Sequence, residues 1–359
     1  MFADSEFVGG LRLGDDSKYG CAFRKPLLPC KSGKPLDAAH PENVTKIAKK
    51  RDLEPEVEVG KLLGEYTFAS NYFVIPREGM CKPSERIFKV DPATRKCEII
   101  QKRGLDRLQM IQMPYGGDRT VSAFFRKSIY NPATFDFYAF GKHLLEAIAL
   151  ETLKGVAHRD LHTANILLDG DNVPRIIDYG MAYIHGHTDP GDMLEYAFNP
   201  RFPQRPPEVD LWLAKDSRVS MPTAVNRILN EKRGIMPITF YSGDNPFTQR
   251  KQLMDYIERS AAFREGRLSE WMASYWHKYD AWAVGNMLLS QYHKMVMHPG
   301  FERNRAVVGQ KTKIVGALRT LTRLSPIERA DAVEALRLWA PDSAVLRLKK
   351  AQEWLTARG

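Results

Sequence analysis

Three side chains able to carry chemistry stand close together in the stretch from His158 to Gly180, which reads HRDLHTANILLDGDNVPRIIDYG. Asp160 and Asp178 are carboxylates, and Asn165 between them is a carboxamide. A carboxylate such as Asp160 can take the hydrogen bond of an incoming hydroxyl. Carboxylate and amide oxygens are hard donors of the kind Mg²⁺ prefers, and Asp178 and Asn165 offer them. Ile166-Leu167-Leu168 and Ile176-Ile177 read as two short buried strands, with Asp169-Gly170-Asp171-Asn172 as the hairpin turn between them. That hairpin brings Asn165 and Asp178 to one end of a site.

Other elements must position these groups. Upstream, alternation around Tyr19-Gly20-Cys21-Ala22-Phe23 predicts a strand after a polar turn. Asn43-Val44-Thr45-Lys46-Ile47 predicts a short apolar strand carrying Lys46; Lys49 and Lys50 are rivals that lie past its apolar residues. Leu53 to Tyr66 has helical spacing through Val57, Leu62 and Leu63, with Pro55 in its first turn. Asn71 to Ile75 and Leu108 to Met113 predict two more strands. The Pro-, Lys- and Gly-rich stretch 24–41 reads as an inserted surface loop, and the similar stretch 76–96 as a variable excursion. Ala133 to Lys154 predicts a long helix closed by Gly155. Helices are also expected over 251–275, 307–324, 326–338 and 343–357.

The H-R-D-L-x-x-x-N run, followed by D-Y-G at Asp178, resembles the catalytic loop and metal-binding turn of protein kinases. The resemblance implies phosphoryl transfer, which asks a protein mostly to position groups and neutralise charge. It implies an α+β fold with two lobes: residues 1–115 as a β-rich N-lobe with one main helix, a hinge near 112–117, and 116–359 as a helical C-lobe. It implies ATP with Mg²⁺ or Mn²⁺ bound between the lobes. Asp160 would be the base or orienting group, and Asn165 and Asp178 the metal ligands. Lys46 would hold the α- and β-phosphates, positioned by Glu58 on the helix that follows, with Glu56 the runner-up. Gln109 to Asp118 resembles the kinase hinge, with Ile111 as gatekeeper and the backbone of Gln112, Met113 and Pro114 facing adenine. Only Gly20 matches the glycine-rich loop firmly. Asp15 and Ser17 fall where its first two glycines would stand, and Gly9, Gly10 and Gly14 could serve in a shifted loop.

Further matches lie downstream. Pro206-Pro207-Glu208 resembles the A-P-E that ends an activation segment. Tyr279-Asp280-Ala281-Trp282-Ala283-Val284-Gly285 resembles the start of the central buried helix, whose Asp280 would bond the catalytic-loop backbone. Ser325 to Arg329 resembles a closing d-P-x-x-R, and Arg329 is the expected ion-pair partner of Glu208. Arg159 could bind a phosphate on Tyr183, Thr188 or Tyr196. His162 departs from the pattern, since serine/threonine kinases usually carry lysine there. It leaves open transfer to serine, threonine or tyrosine, and resembles small-molecule kinases of the aminoglycoside type. A pseudokinase serving as a binding or virion structural module is a further alternative. The long stretch after Glu208 predicts an inserted helical subdomain at about 212–275, either a docking surface or a helical pad. The opening Y-G-C-A-F, the loop after it and this insert look like the divergent kinases of large DNA viruses. That implies a viral product in host cytoplasm or virion, with acidic or virion proteins as substrates.

Bulk properties bound these readings. The chain has 359 residues and a net charge of +10. Such a balance favours acidic partners, the nucleotide among them. No nucleic-acid-binding motif is visible, and no apolar run approaches the roughly 18 residues of a membrane span. Cys21, Cys30, Cys81 and Cys97 form no C-x-x-C pair and read as reduced thiols in an intracellular compartment.

Overall fold

The computed structural model describes residues 12–13, 20–126 and 130–358. Gly9, Gly10, Gly14, Asp15, Ser17 and Tyr19 lie outside them. The chain is a mixed helix–sheet protein, about 53% helical, with small antiparallel sheets. It divides into two compact units. One holds the chain up to Gly117 together with Ile177–Ala182, and the other holds Asp118–Ile176 and the chain from Tyr183 on.

The first unit is built on an antiparallel sheet in the order β1 (Arg12–Leu13), β2 (Gly20–Phe23), β3 (Val44–Ala48), β4 (Gln109–Met113). In β3 and β4 alternate side chains go to opposite faces. Lys46 lies opposite both Ala22 and Ile111 in the register, so these three share a face. Helix α1 (Lys50–Leu63) packs there through Leu53 and Val57, alongside Val44, Ile111 and Met113. Gly20 closes against β3; a Cβ there would stand 2.8 Å from the Ile47 carbonyl oxygen. At this position the bare glycine lets two backbones meet.

The opposite face carries Cys21, Phe23, Ile47 and Met110. It is covered by α2 (Ile87–Val90), α3 (Glu98–Arg103) and the segments around them, which bury Leu28, Ile87, Ile99 and Leu105 on it. Two disulfides fasten this cover, Cys21–Cys97 and Cys30–Cys81. The expected reduced thiols are therefore corrected: each cysteine is paired with one 76 or 51 residues away. The expected surface loop 24–41 and variable excursion 76–96 contribute to this layer. The strand expected at Asn71 to Ile75 is also corrected. Ala69–Asn71 is a 3₁₀ turn, and Phe73, Val74 and Ile75 are buried without adding a strand to the sheet. A short apolar run carries no period that separates strand from buried turn.

The second unit begins with β5 (Arg119–Thr120), α4 (Val121–Arg126) and α5 (Phe137–Leu153). The Asp136 side chain accepts the Ala139 N–H to cap α5. Strand β6 (Val156–Ala157) pairs with β9 (Tyr183–Ile184), while β7 (Ile166–Leu168) and β8 (Pro174–Ile176) form a hairpin beside β5. The turn at Asp169 to Asn172 is closed by the Asn172 N–H on the Asp169 carbonyl, 3.1 Å, with Asn172 at φ 63°. Then come α6 (Pro207–Asp216), α7 (Met221–Glu231), α8 (Ile235–Ser242), α9 (Pro246–Arg259), α10 (Ala261–Glu265) and α11 (Leu268–Tyr275). Tyr256, Phe263 and Trp271 from this stretch are buried among themselves, and Trp271 Nε1 donates to the Tyr256 hydroxyl at 2.5 Å. Helix α12 (Tyr279–Val296) is buried along most of its length. The unit closes with α13 (Arg305–Val308), α14 (Lys311–Leu321), α15 (Ala332–Trp339) and α16 (Lys349–Thr356). Among the described residues no helix is long and apolar enough to cross a membrane.

Candidate functional site

In the first unit Lys46 is the centre of a charged triad. Its Nζ lies 2.5 Å from Glu56 Oε1 and 2.9 Å from Asp178 Oδ1. The Lys46 side chain is 20% exposed, Glu56 2% and Asp178 47%, so the triad is sealed on the helix side and open on the Asp178 side. Burial alone would lower the Lys46 ammonium, but the two carboxylates outweigh it and hold it above the ordinary lysine range. Burial pushes the Glu56 carboxyl up to about 7, against the pull of Lys46. Asp178 sits at φ 69°. A left-handed non-glycine residue costs on the order of 1–3 kcal/mol and persists where the surroundings demand it.

Glu56, not Glu58, is thus the helix partner of Lys46, and the expected role of Glu58 is corrected. Helix α1 begins at Lys50, earlier than the spacing suggested, and its buried stripe runs through Leu53, Glu56, Val57, Gly60 and Leu63. Glu56 lies three residues after Leu53, on the inner face. Glu58 is two positions further, across the helix. It is 58% exposed and meets Lys61 at 3.3 Å. Lys50, one rival to Lys46, pairs on the surface with Glu54.

Ile111 stands beside Lys46 on the same sheet face. Gln112 faces the other way: its Nε2 donates to the Leu28 carbonyl at 3.0 Å and its Oε1 accepts the Asp37 N–H at 2.9 Å. Its side chain therefore ties down the covering layer, and only its backbone looks toward its neighbours on β4. Met113 is buried on the Lys46 face. Ala22, opposite Lys46 on β2, joins the same surface. Alternation from Gly20 would have found it.

In the second unit Asp160 is the centre of a different cluster. Gln204 Nε2 donates to Asp160 Oδ1 at 3.0 Å. Asn165 Nδ2 donates to the Asp160 carbonyl at 3.0 Å and approaches Oδ2 at 3.4 Å. His162 Nε2 stands 3.6 Å from the same Oδ2. His162 Nδ1 accepts the Ala164 N–H at 3.1 Å, which leaves the ring proton on Nε2, toward Asp160. Burial works to raise the Asp160 carboxyl, but His162 and Gln204 outweigh it and hold it below the ordinary carboxylate range. Asp160 is therefore an anion at neutral pH, suited to accept a hydroxyl's hydrogen bond.

The backbone that presents Asp160 is fixed from behind. Buried Asp280 on α12 accepts the His158 N–H at 2.5 Å and the Arg159 N–H at 3.0 Å. Arg159 takes a left-handed φ of 68°. Glu208 and Arg329 form the expected pair, fully buried and bidentate at 2.6 and 2.8 Å. Of the suggested phosphate acceptors, Tyr183 is buried in β9, whereas Tyr196 is 40% exposed. Gln204 was not foreseen, since nothing in its local spacing marks it.

Each unit offers a hard oxygen donor. Asn165 turns its Nδ2 toward Asp160, which aims its Oδ1 the other way, and Asp178 is a half-exposed carboxylate. Both are oxygen donors of the kind Mg²⁺ or Mn²⁺ takes.

No protein-family model matches the chain. Among curated proteins, Mitogen-activated protein kinase kinase kinase 5 of Arabidopsis thaliana is 29% identical over 146 residues, which cover 34% of this chain and 20% of that protein. L-type lectin-domain containing receptor kinase VII.1 of the same plant is 33% identical over 103 residues, 28% of this chain and 13% of that protein. The chain spans a fifth or less of these relatives' own lengths, and its similarity to protein kinases is partial.

Proposed function

We propose that the protein is an ATP-dependent protein kinase acting on serine or threonine hydroxyls, with tyrosine as a further acceptor. The observation that carries this reading is Lys46 held between Glu56 and Asp178. A cation fixed by a helix carboxylate and by the aspartate of a D-Y-G turn suits nucleotide phosphates. In this reading Lys46 neutralises the α- and β-phosphates and Glu56 keeps its ammonium in place. The Lys46 face of the sheet, with Ala22, Ile111 and Met113, receives adenine. Asn165 and Asp178 hold Mg²⁺ or Mn²⁺, which when bound neutralises charge on the transferring phosphoryl group. Asp160 accepts the hydrogen bond of the acceptor hydroxyl and orients its oxygen. The net positive charge suits acidic protein substrates, virion proteins among them. The similarity to plant kinases supports the kinase reading and lends nothing to the viral origin that the loop style implies.

His162, where a lysine is usual, favours a second reading, transfer to a small-molecule hydroxyl. The Glu208–Arg329 pair and Asp280 beneath the loop favour the first. The deciding experiment is transfer from labelled ATP with Mg²⁺ or Mn²⁺, comparing the wild type with Asp160→Asn and Asp178→Ala. Label on added proteins with the wild type alone, then phosphoamino-acid analysis, is the expected result. Nucleotide binding without labelled protein would overturn it in favour of a small-molecule acceptor or a pseudokinase.

A further inference from the structure

We infer that Gln204 is a positioning residue for Asp160, held in place by the same helix that holds Asp160 itself. The inference rests on the kinase reading for its consequence in turnover, but on geometry for the contact. Gln204 gives the shortest side-chain hydrogen bond that the Asp160 carboxylate receives, 3.0 Å to Oδ1, whereas Asn165 and His162 stand 3.4 and 3.6 Å from Oδ2. A carboxylate on a loop can rotate about its last torsion. One good donor on one oxygen stops that rotation and leaves the remaining lone pairs aimed.

The segment around Gln204 is unusually well fastened. The Pro203 carbonyl accepts from Trp282 Nε1 at 3.0 Å and from Asn286 Nδ2 at 2.9 Å. Lys232 Nζ donates to the carbonyls of Phe202 and Arg205, at 3.0 and 2.8 Å. The backbone is thus gripped on both sides of Gln204. Trp282 and Asn286 belong to α12, as does Asp280, which grips the backbone of His158 and Arg159. Asp160 and Gln204 are therefore referred to one rigid element. Lys232 itself is fully buried, 2.6 Å from Asp210 at the start of α6. Gly234 makes room for the arrangement: at φ +100°, a Cβ there would fall 1.8 Å from Asn286 Oδ1. The stretch after Glu208 thus supplies, through Lys232, a side chain that fixes the geometry of the catalytic loop's partner.

The test has two arms. In the first, [¹⁵N]glutamine-labelled protein is examined for the Gln204 side-chain amide signal, assigned by its loss in Gln204→Ala. Asp160→Ala is expected to shift that signal upfield in the proton dimension and speed its solvent exchange. An unmoved signal would overturn the inference, whatever the activity. In the second arm, Gln204→Ala is expected to lower kcat about tenfold, the loss of one hydrogen bond to a charged group, with KM for ATP within about twofold of wild type. Gln204→Asn, one methylene too short to reach, is expected to behave as Gln204→Ala does. An unchanged or raised kcat would overturn the inference, because Gln204 would then be idle or an obstacle to the acceptor. If the wild type transfers no phosphate while the amide signal responds to Asp160, the kinase reading fails and the positioning contact stands.

Discussion

The two chemical centres are held by opposite means. In the first unit the key group is a cation, and it is fixed by charge: Lys46 stands between Glu56 and Asp178. In the second the key group is an anion, and it is fixed by side-chain N–H donors: Gln204, Asn165 and His162 around Asp160. Their supports differ in the same way. The sheet bearing Lys46 is backed by a layer fastened with two disulfides. The loop bearing Asp160 is backed by its own N–H groups donating to Asp280 of α12, and the segment bearing Gln204 by Lys232, itself in a buried ion pair with Asp210. A charge-fixed centre is sensitive to protonation of its partners. A donor-fixed centre is sensitive to the exact placement of amide and backbone groups, since hydrogen bonds weaken steeply when bent or stretched.

This contrast can be broken or sharpened by experiment. The largest effect is expected at Asp160. Asp160→Asn keeps the shape and removes the charge, and phosphate transfer is expected to fall about 10²–10⁴-fold in a labelled-ATP assay, with nucleotide affinity by calorimetry little changed. Next is the buried support of the second unit. Glu208→Ala leaves the Arg329 guanidinium buried without its carboxylate, and chemical denaturation is expected to show a loss of about 3–5 kcal/mol. An effect below 1 kcal/mol would mean that this buried pair is not a support of the second unit.

The first unit should respond to a different insult. Replacing Cys30 and Cys81 by serine is expected to lower stability by about 2–4 kcal/mol. Hydrogen exchange should localise the loosening to the layer over the Cys21 face of the sheet and leave α12 as protected as before. Equal loosening of α12 would contradict the separate supports.

The smallest effect concerns pH. Glu56 titrates near 7 in the folded protein against an ordinary 4.5. Between these values the folded state binds the extra proton, so folding stability rises as pH falls through the window and is lost as pH climbs past about 7. Activity should move the other way, because a protonated Glu56 holds Lys46 less firmly. The expected result is a few-fold loss of rate between pH 8 and 6 without a lower melting temperature. Glu56→Gln should flatten that limb of the profile.

What was legible in the sequence follows from what is local. The hairpin around Asp169 to Asn172, the strand carrying Lys46 and the position of Asp280 are encoded in short runs whose types and order suffice. In the sequence Glu58 ranks ahead of Glu56 because Val59 and Leu62 follow it at packing spacing, but Leu62 is not buried and the inner stripe of α1 runs through Leu53, Glu56, Val57, Gly60 and Leu63. The disulfides were missed because pairing across 51 and 76 residues depends on the folded backbone, not on spacing. Gln204 was missed for the same reason: it meets Asp160 across 44 positions, through a segment whose course is set by α12 and Lys232.

The two disulfides are nested: the bond from Cys30 to Cys81 closes wholly inside the loop from Cys21 to Cys97. A chain so looped can be cut without coming apart. A protease nick anywhere between Cys30 and Cys81 leaves the pieces joined twice, and a nick in the flanking arms leaves them joined once. On a gel without reductant such a nicked molecule should migrate as one band, and with reductant as two. The outer layer of the first unit can thus lose backbone continuity while its strands stay in register.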